Sequence, residues 1–320
     1  FIESGWASVG NEVEVPGADS LWQVKGNRVL SEKNDVVLEW NNGKGLVFKK
    51  TIKLDEKYLF KIKQEVKNNT SSKINLYPYS QITRNKKPDD VMGFYILHEG
   101  FIGVFDGELK EDDYDDIKDK KIVRNSDNGW LGITDKYWVT AIVPPKDKNF
   151  KSTFLYKDNF RANYILNSPV TINSKSTSGN EVRLFVAAKE VETVDGYAES
   201  ENIEKFDLTI DWGWFYFFTK PLFFVIDYLF KLSGNFGIAI VLITLAIRII
   251  FFPLANYSFR SMAKMKAVQP EMTRLKELHK EDKMKLQQEM MALYRKEKIN
   301  PASGCLPILI QIPFFFAIYK

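Results

Sequence analysis

The chain has 320 residues, a formal net charge of +4, and a composition that is 45% hydrophobic and 27% charged. These averages are those of an ordinary globular protein, and the single cysteine, Cys305, excludes an intrachain disulfide. The averages conceal a segregation, because the first two-thirds of the chain is polar and the apolar residues concentrate after Asp211. More than 200 residues precede that point, which is enough for a domain stabilised by its own core.

Charge is also distributed unevenly along the chain. Residues 1–234 carry 32 Lys and Arg against 35 Asp and Glu, whereas residues 255–302 carry 11 against 6. An acidic large domain and a short basic loop therefore flank one apolar segment. By the positive-inside rule, the basic loop is expected in the cytoplasm and the large domain across the membrane.

The first 192 residues predict an all-β domain. Short runs rich in β-branched and aromatic residues alternate with Asn, Gly, Asp, Lys and Pro clusters, which is typical of a sandwich. The predicted strands are Asp35–Trp40, Leu46–Leu54, Tyr58–Val66, Lys73–Thr83, Trp138–Val143, Thr153–Tyr156 and Glu181–Ala188. The charge-dense run Glu108–Lys121 is expected to be a solvated loop.

Two segments connect this domain to the apolar part. Thr193–Phe206 is polar and predicts a connector helix. Asp211–Phe224 is unusually aromatic and contains Lys220, which favours an amphipathic helix lying in the membrane interface. The alternative is a spanning helix that buries Asp227.

Phe236–Leu254 is an apolar run long enough to cross a bilayer, with Arg248 as its single charge. An arginine there costs roughly 2.5–3.5 kcal/mol and stays protonated, so it needs water, a carboxylate or protein around it. The alternative is snorkelling, since Leu254 is about 9 Å further along the helix. Thr244 lies one turn before, where it either makes that face polar or bonds its own backbone.

Tyr257–Lys298 predicts two helices that pair as a hairpin, with a mobile turn at His279–Asp282. Met and Leu recur at three- and four-residue spacing in both helices, so the stripes either pack on each other or, being Met-rich, form a promiscuous contact surface. The stripes comprise Met262, Met265, Val268, Met272 and Leu275, then Met284, Leu286, Met290, Met291 and Leu293. The basic charge suits ribosomal RNA or anionic lipid, and equally a positive-inside loop.

Asn300–Gly304 breaks the helix, and the apolar run Cys305–Tyr319 contains the polar Gln311. This run is too short to span a bilayer, and the chain lacks an initial Met, so we expect a fragment. One cysteine and two separated histidines give no metal site, and no Gly-rich phosphate loop predicts a nucleotide, so no cofactor is expected.

Several separate motifs follow one another from residue 208 onward: Asp211 with Gly213 and Trp214, Pro221-Leu222, Gly234-Asn235, Arg248 with Pro253-Leu254, Ser261–Met265, Gln269-Pro270, Gln287–Tyr294, Ile299–Pro301 and Gly304–Pro313. In this order they resemble the YidC family of membrane protein insertases. Ser4–Trp6, Asn128–Trp130 and Asp135–Trp138 resemble, more loosely, the periplasmic domain of Gram-negative members. His279 departs from the glycine expected at the hairpin turn.

The resemblance implies a mixed fold, an all-β supersandwich followed by membrane helices and a cytoplasmic hairpin. The implied regions are 1–205, the periplasmic domain with its connector helix; 206–234, the interfacial helix; 235–254, a transmembrane helix; 255–300, the hairpin; and 301–320, the start of the next membrane helix. The implied location is the bacterial inner membrane, with residues 1–205 in the periplasm.

The resemblance also implies a non-enzymatic insertase with a hydrophilic groove that contains Arg248. Thr244 would line the groove, and Gln311 would either line it or bond a neighbouring helix. Implied partners are client membrane proteins, the Sec translocon, the ribosome or signal recognition particle receptor, and lipids, but not DNA. The alternative is a membrane-anchored carbohydrate-binding domain; its catalytic, epimerase-like form would need paired histidines, and the domain has only His98.

Overall fold

The computed structural model describes residues 1–89, 91, 97–280, 282–297 and 306–319. They form two compact units, Phe1–Asp211 and Trp212–Lys320, called here the β domain and the helical unit. Within the described residues all strands lie in the β domain, and the helical unit consists of helices. The polar and apolar parts of the sequence therefore correspond to the two structural units.

The β domain is built from two antiparallel sheets. Its strands are β1 (Ile2–Ser8), β2 (Gln23–Lys25), β3 (Val36–Asn41), β4 (Leu46–Leu54), β5 (Leu59–Asn68), β6 (Ile74–Arg84), β7 (Gly100–Phe105), β8 (Glu108–Asp113), β9 (Ile122–Ser126), β10 (Gly129–Thr134), β11 (Trp138–Val143), β12 (Phe150–Lys157), β13 (Asn159–Leu166), β14 (Val170–Ile172) and β15 (Thr177–Ala188). One sheet runs β2-β3-β4-β5-β15-β11-β10-β7-β8. The other runs β1-β6-β13-β12-β9, with β14 beside β6. The predicted sandwich is confirmed.

Helices lie within and after the sandwich. They are α1 (Tyr114–Asp119), α2 (Val191–Ser200), α3 (Tyr216–Ser233), α4 (Phe236–Ala267), α5 (Gln269–Leu278), α6 (Lys283–Lys296) and α7 (Leu306–Tyr319), with 3-10 turns at Val9–Asn11 and Phe206–Thr209.

Aromatic side chains join the two sheets. Phe101 of β7 and Phe154 of β12 have ring centroids 5.0 Å apart, inside a core of buried side chains from both sheets. The opposite face of the larger sheet is also covered, because Phe206 packs 5.4 Å from Phe185 and 5.5 Å from Trp130. The predicted connector is thus part of the core, and the β domain extends to Asp211.

The run Glu108–Lys121 is not the solvated loop that its charge predicted. It forms β8, an edge strand, and α1. Tyr114 and Ile117, three residues apart, share one helix face and are each 1% exposed, packed into the core among Phe101 and Phe160. Two well-placed apolar residues therefore fix the segment despite its surrounding charge.

Strands β7 and β10 were missed by the sequence analysis. Both are buried along their whole length, so neither shows alternation of apolar and polar residues. Both also contain glycine, which strand patterns disfavour. Gly132 is required by a close approach, because a Cβ there would lie 2.2 Å from the Thr140 carbonyl oxygen of β11.

The helical unit begins with two helices joined by a tight turn. Gly234 takes the left-handed conformation and its N–H donates to the Phe230 carbonyl, which ends α3. Asn235 then caps α4 by accepting from the Ile238 N–H. The motif Gly234-Asn235 therefore marks the start of the apolar helix.

Helix α4 runs unbroken from Phe236 through Pro253 to Ala267, 13 residues beyond the predicted end of the span at Leu254. It is long and apolar enough to cross a membrane: its most apolar 18-residue stretch has a mean hydropathy of 2.6, and only 11% of that stretch is buried within the chain. A core helix of a soluble protein would be mostly buried. The low burial therefore favours lipid as the solvent of this helix.

Aromatic contacts pack the helical unit together. Phe314 of α7 lies 5.0 Å from Phe218 of α3 and 5.0 Å from Phe251 of α4, measured between ring centroids. Ala239 and Ile243 form the buried face of α4. Most other apolar side chains of α4 remain exposed.

Candidate functional site

Arg248 occupies the middle of the apolar helix. It is twelve residues after Phe236, the start of α4, and twelve before Arg260, the next charge, or about 18 Å of helix on either side. Its side chain is exposed. Five positions separate it from Ile243, a rotation of about 140°, so it points away from the buried face of α4.

Carboxylates are scarce around this arginine. Between Trp212 and Pro270, all described, the sequence contains one, Asp227. Asp227 lies on α3 and pairs with Lys231 at 2.8 Å, one turn further along. Within the described residues no ion pair joins Arg248 to any acidic side chain, so its charge remains uncompensated there.

Thr244 uses its hydroxyl within its own helix. The hydroxyl donates to the Ile240 carbonyl oxygen at 2.7 Å. This is the backbone alternative left open by the sequence, and it consumes the only hydrogen of the group. Thr244 nevertheless lies one turn from Arg248, about 40° around the helix, where its oxygen keeps an acceptor site.

Gln311 lies on α7 and is half-buried. It is one turn before Phe314, which touches Phe251 on α4, and Phe251 is one turn after Arg248. The helices that carry the two polar residues are therefore in contact. No hydrogen bond joins Gln311 to Arg248 or Thr244 in the described part of the chain.

The predicted methionine stripes have unequal environments. Met265 packs with Met272 and Leu275 against Val268 and Leu293, which are 9% and 6% exposed. The Tyr294 hydroxyl of α6 reaches the Met272 sulfur of α5 at 3.9 Å.

The other predicted contact methionines point outward in varying degree. Met262 is 39% and Met291 48% exposed, whereas Met290 is half-buried. Met265 therefore packs between helices, whereas Met262 and Met291 are exposed.

Position 279, at the end of α5, needs no glycine. His279 ends α5 with φ of −117°, a conformation open to any residue. Asp282 starts α6 by accepting from the Lys285 N–H at 2.9 Å. Glu281 of the predicted turn lies outside the described residues, as do Asn300–Gly304 and Cys305.

His98, the histidine of the β domain, has a structural setting. It is 3% exposed, its Nε2 lies 3.0 Å from the Phe101 carbonyl oxygen, and its Nδ1 lies 3.6 Å from an Asp113 carboxylate oxygen. The chain's other histidine, His279, belongs to the helical unit. A paired-histidine catalytic site is therefore excluded in the β domain.

One end of the larger sheet carries a cluster of charged residues that was not predicted from the sequence. Arg84 donates to both carboxylate oxygens of Asp135, at 2.8 and 2.7 Å. Lys189, just after β15, donates to the Thr134 hydroxyl at 3.0 Å.

Burial lowers the pKa of Lys189 to about 8, against the opposing effect of nearby carboxylates, including Asp211 and Glu99. Sequence patterns could not have indicated this cluster, because its members come from positions about 130 residues apart.

Two hydrogen bonds connect this cluster to the end of the domain. The His98 N–H donates to Asp211 at 2.9 Å, and the next residue, Glu99, accepts from the Lys136 N–H at 3.0 Å. Asp211 is the last residue of the β domain. The chain therefore leaves the domain beside the β10–β11 turn.

Among solved structures, the likenesses are distant. A galactose mutarotase related enzyme from Lactobacillus acidophilus gives a TM-score of 0.38 at 10% identity, covering 52% of this chain and 70% of that one. A Synechocystis protein gives 0.37 at 10% identity, covering 52% and 65%. Scores this low support no functional argument.

Family models and curated relatives agree with each other. The YidC periplasmic domain model matches residues 1–225, and the 60Kd inner membrane protein model matches residues 228–320. Proteins named membrane protein insertase YidC from Pelagibacter ubique, Nitrobacter hamburgensis and Brucella suis are 56%, 47% and 44% identical over all of this chain. The chain covers 57%, 55% and 53% of those proteins, about half their length. The chain belongs to the YidC family of inner-membrane protein insertases.

Proposed function

We propose that the protein to which this chain belongs inserts hydrophobic segments of client proteins into the bacterial inner membrane without covalent chemistry. The observation that carries the proposal is the uncompensated Arg248 in the middle of an apolar helix. Such a residue costs roughly 2.5–3.5 kcal/mol to place in the membrane. A cost of this size favours a functional reason for keeping it.

In this proposal Arg248 attracts the polar, acidic end of an incoming segment partway into the membrane. Its charge is available because no ion pair joins it to an acidic side chain in the described part of the chain, and Asp227 pairs with Lys231. The apolar part of the client then partitions into lipid, and burial of apolar surface supplies the driving force. Thr244 and Gln311 are proposed to add polar character to the same groove.

Helix α3 is proposed to lie in the membrane interface. Trp214 is 92% and Phe217 66% exposed, and the Lys220 ammonium lies 5.7 Å from the ring centroids of both Trp212 and Tyr216. Aromatic rings combined with a cation are typical of the headgroup level. The Asp227–Lys231 pair also suits this hydrated depth better than the bilayer centre.

The charge distribution supports a topology with the β domain in the periplasm and α5 and α6 in the cytoplasm. Exposed Met262 and Met291 are proposed to offer an adaptable surface to clients, and Met265 to help hold the helices together. The Sec translocon, the ribosome or signal recognition particle receptor, and lipids are the proposed partners. Each is carried over from the family resemblance.

The test is insertion of a model client with an acidic translocated tail by the full-length protein reconstituted in lipid vesicles. Protein-free vesicles and vesicles with the Arg248→Ala variant are compared with the wild type. We expect protease protection of the client only with wild-type protein. Equal protection in the Arg248→Ala vesicles would refute the role of this arginine.

A further inference from the structure

The β10–β11 turn carries an exposed group of a distinctive type. Lys136, Tyr137 and Trp138, called here the aromatic turn, follow Asp135 at the end of the larger sheet. We infer that the aromatic turn contacts the lipid headgroups of the membrane surface on the side of the β domain. This inference rests on the proposed function, because it takes α3 to lie in that surface.

The aromatic turn exposes its two aromatic side chains to solvent. Tyr137 is 63% and Trp138 61% exposed, and the Lys136 ammonium lies 5.1 Å from the Tyr137 ring centroid. Of the five tryptophans in the β domain, all within the described residues, only Trp138 is exposed. Leaving a Tyr–Trp pair in water has no folding benefit, whereas Trp, Tyr and Lys together are the residues that anchor at a bilayer interface.

The aromatic turn lies beside the point where the chain leaves the β domain. The Lys136 N–H is held by Glu99, and the adjacent His98 holds the Asp211 carboxylate. The Lys189 N–H also donates to the Tyr137 carbonyl at 2.9 Å, and Lys189 lies within electrostatic range of Asp211. The aromatic turn and the exit of the chain are thus tied to the same few residues.

The connection between the β domain and α3 is short. Five residues lead from Asp211 to Tyr216, the start of α3. An extended chain covers at most about 3.6 Å per residue, so the exit lies within roughly 18 Å of α3 in any arrangement of the two units. If α3 lies in the interface, the residues around the exit are close enough to reach it.

Contacts with neighbouring residues hold the backbone of the aromatic turn in place. The Arg84–Asp135 ion pair and the Glu99 hydrogen bond clamp its first half, and β11 pairs Trp138 with Ala188 of β15. Because the backbone of the turn is already rigid, contact with the membrane costs little backbone conformational entropy. The small size of the group also fits a headgroup layer better than a protein partner, which would need a larger patch.

The experiment uses the full-length protein in nanodiscs of phosphatidylethanolamine and phosphatidylglycerol, with its native cysteines replaced by serine. A nitroxide label is placed at Tyr137→Cys, and collision with a nickel-chelating lipid is measured by electron spin resonance. The control label at Thr177→Cys is exposed at the other end of β15, about 37 Å from Ala188 along the strand. We expect several-fold higher accessibility to the lipid-borne nickel at position 137.

A third label at Tyr228→Cys, 66% exposed on α3, separates this inference from the proposed function. Lipid contact at 228 without contact at 137 would overturn the inference and leave the placement of α3 standing. Equal accessibility at 137 and 177 would also overturn it. A label at 137 shielded from both lipid-borne and soluble nickel would indicate a protein partner, which is again a contradiction. Lipid contact at 137 that falls when Trp138→Ser is added supports the inference.

Discussion

Asp227 and Lys231 form an ion pair at 2.8 Å, one turn apart on α3. Asp227 is the only carboxylate between Trp212 and Pro270, and this pair engages it. The first apolar helix therefore keeps a net positive charge. The proposed attraction of acidic client segments depends on this arrangement.

The Asp227–Lys231 pair should contribute little stability. The side chains are 30% and 59% exposed, and exposed pairs of this spacing are worth about 0.3–0.5 kcal/mol. We expect Asp227→Asn and Lys231→Gln to shift thermal unfolding only slightly, and we expect Asp227→Asn to leave insertion activity near wild type. A double-mutant cycle in detergent micelles measures the coupling. A coupling of several kcal/mol would indicate a buried pair and a spanning α3.

Topology provides the second prediction. Cysteines at Thr177 and Met284, both exposed, should react with a membrane-impermeant maleimide from opposite sides of the inner membrane in a Cys305→Ser background. Position 177 should be labelled from the periplasm and position 284 only after the membrane is broken. Labelling of both positions from one side would contradict the charge argument.

The start of the apolar helix at Phe236 was predicted from the sequence, for a physical reason. An apolar run such as Phe236–Leu254 is a local signal that needs no information about its neighbours. Strands β4 and β11 were also located to the residue, because they alternate or are β-branched. Strands β7 and β10 were not, since burial on both faces removes the alternation on which such predictions rest.

The same distinction applies to the sites. Arg248 is evident from sequence because it is the single charge in its apolar run. The cluster of Arg84, Glu99, Asp135, Lys189 and Asp211 is assembled by sheet topology from distant positions, and no spacing rule connects them. Tertiary contacts also overrode local charge at Tyr114 and Ile117, where a predicted loop became a strand and a helix.

The contact between α5 and α6 provides the third prediction. Leu293 is 6% exposed in the small core that joins these helices, whereas Met284, on the same helix, is 75% exposed. Leu293→Ala should destabilise the pairing by about 2 kcal/mol or more and raise hydrogen exchange throughout both helices. Met284→Ala is the matched control and should exchange like the wild type. Deleting Tyr257–Lys298 should abolish insertion.

Lys189 makes the fourth prediction, which concerns pH. Its folded-state pKa of about 8 lies below the ordinary value of 10.5, because burial disfavours the charged form. The unfolded chain therefore binds the proton more tightly, and stability should rise with pH above 8, by about 1 kcal/mol between pH 8 and 9. Urea unfolding of the full-length protein in micelles measures this slope. Lys189→Met should flatten it, and Lys44→Met, at an exposed lysine, should not.

The fifth prediction concerns the chemistry of Arg248. If it attracts client carboxylates, positive charge matters more than bidentate geometry, so Arg248→Lys should retain most activity. Arg248→Ala and Arg248→Glu should lose activity for clients with acidic translocated tails. Clients with neutral tails should suffer less, because apolar partitioning drives their insertion. The measurement is insertion of one client, with its tail acids present or neutralised, by the three variants.

Snorkelling predicts the opposite pattern for the same variants. An arginine that merely reaches towards the surface costs roughly 2.5–3.5 kcal/mol, so replacing it with alanine would be tolerated or would stabilise the helix. Equal losses with both tails in Arg248→Ala would exclude charge pairing while leaving a role in hydrating the groove. Full activity of Arg248→Glu with acidic tails would exclude electrostatic attraction altogether.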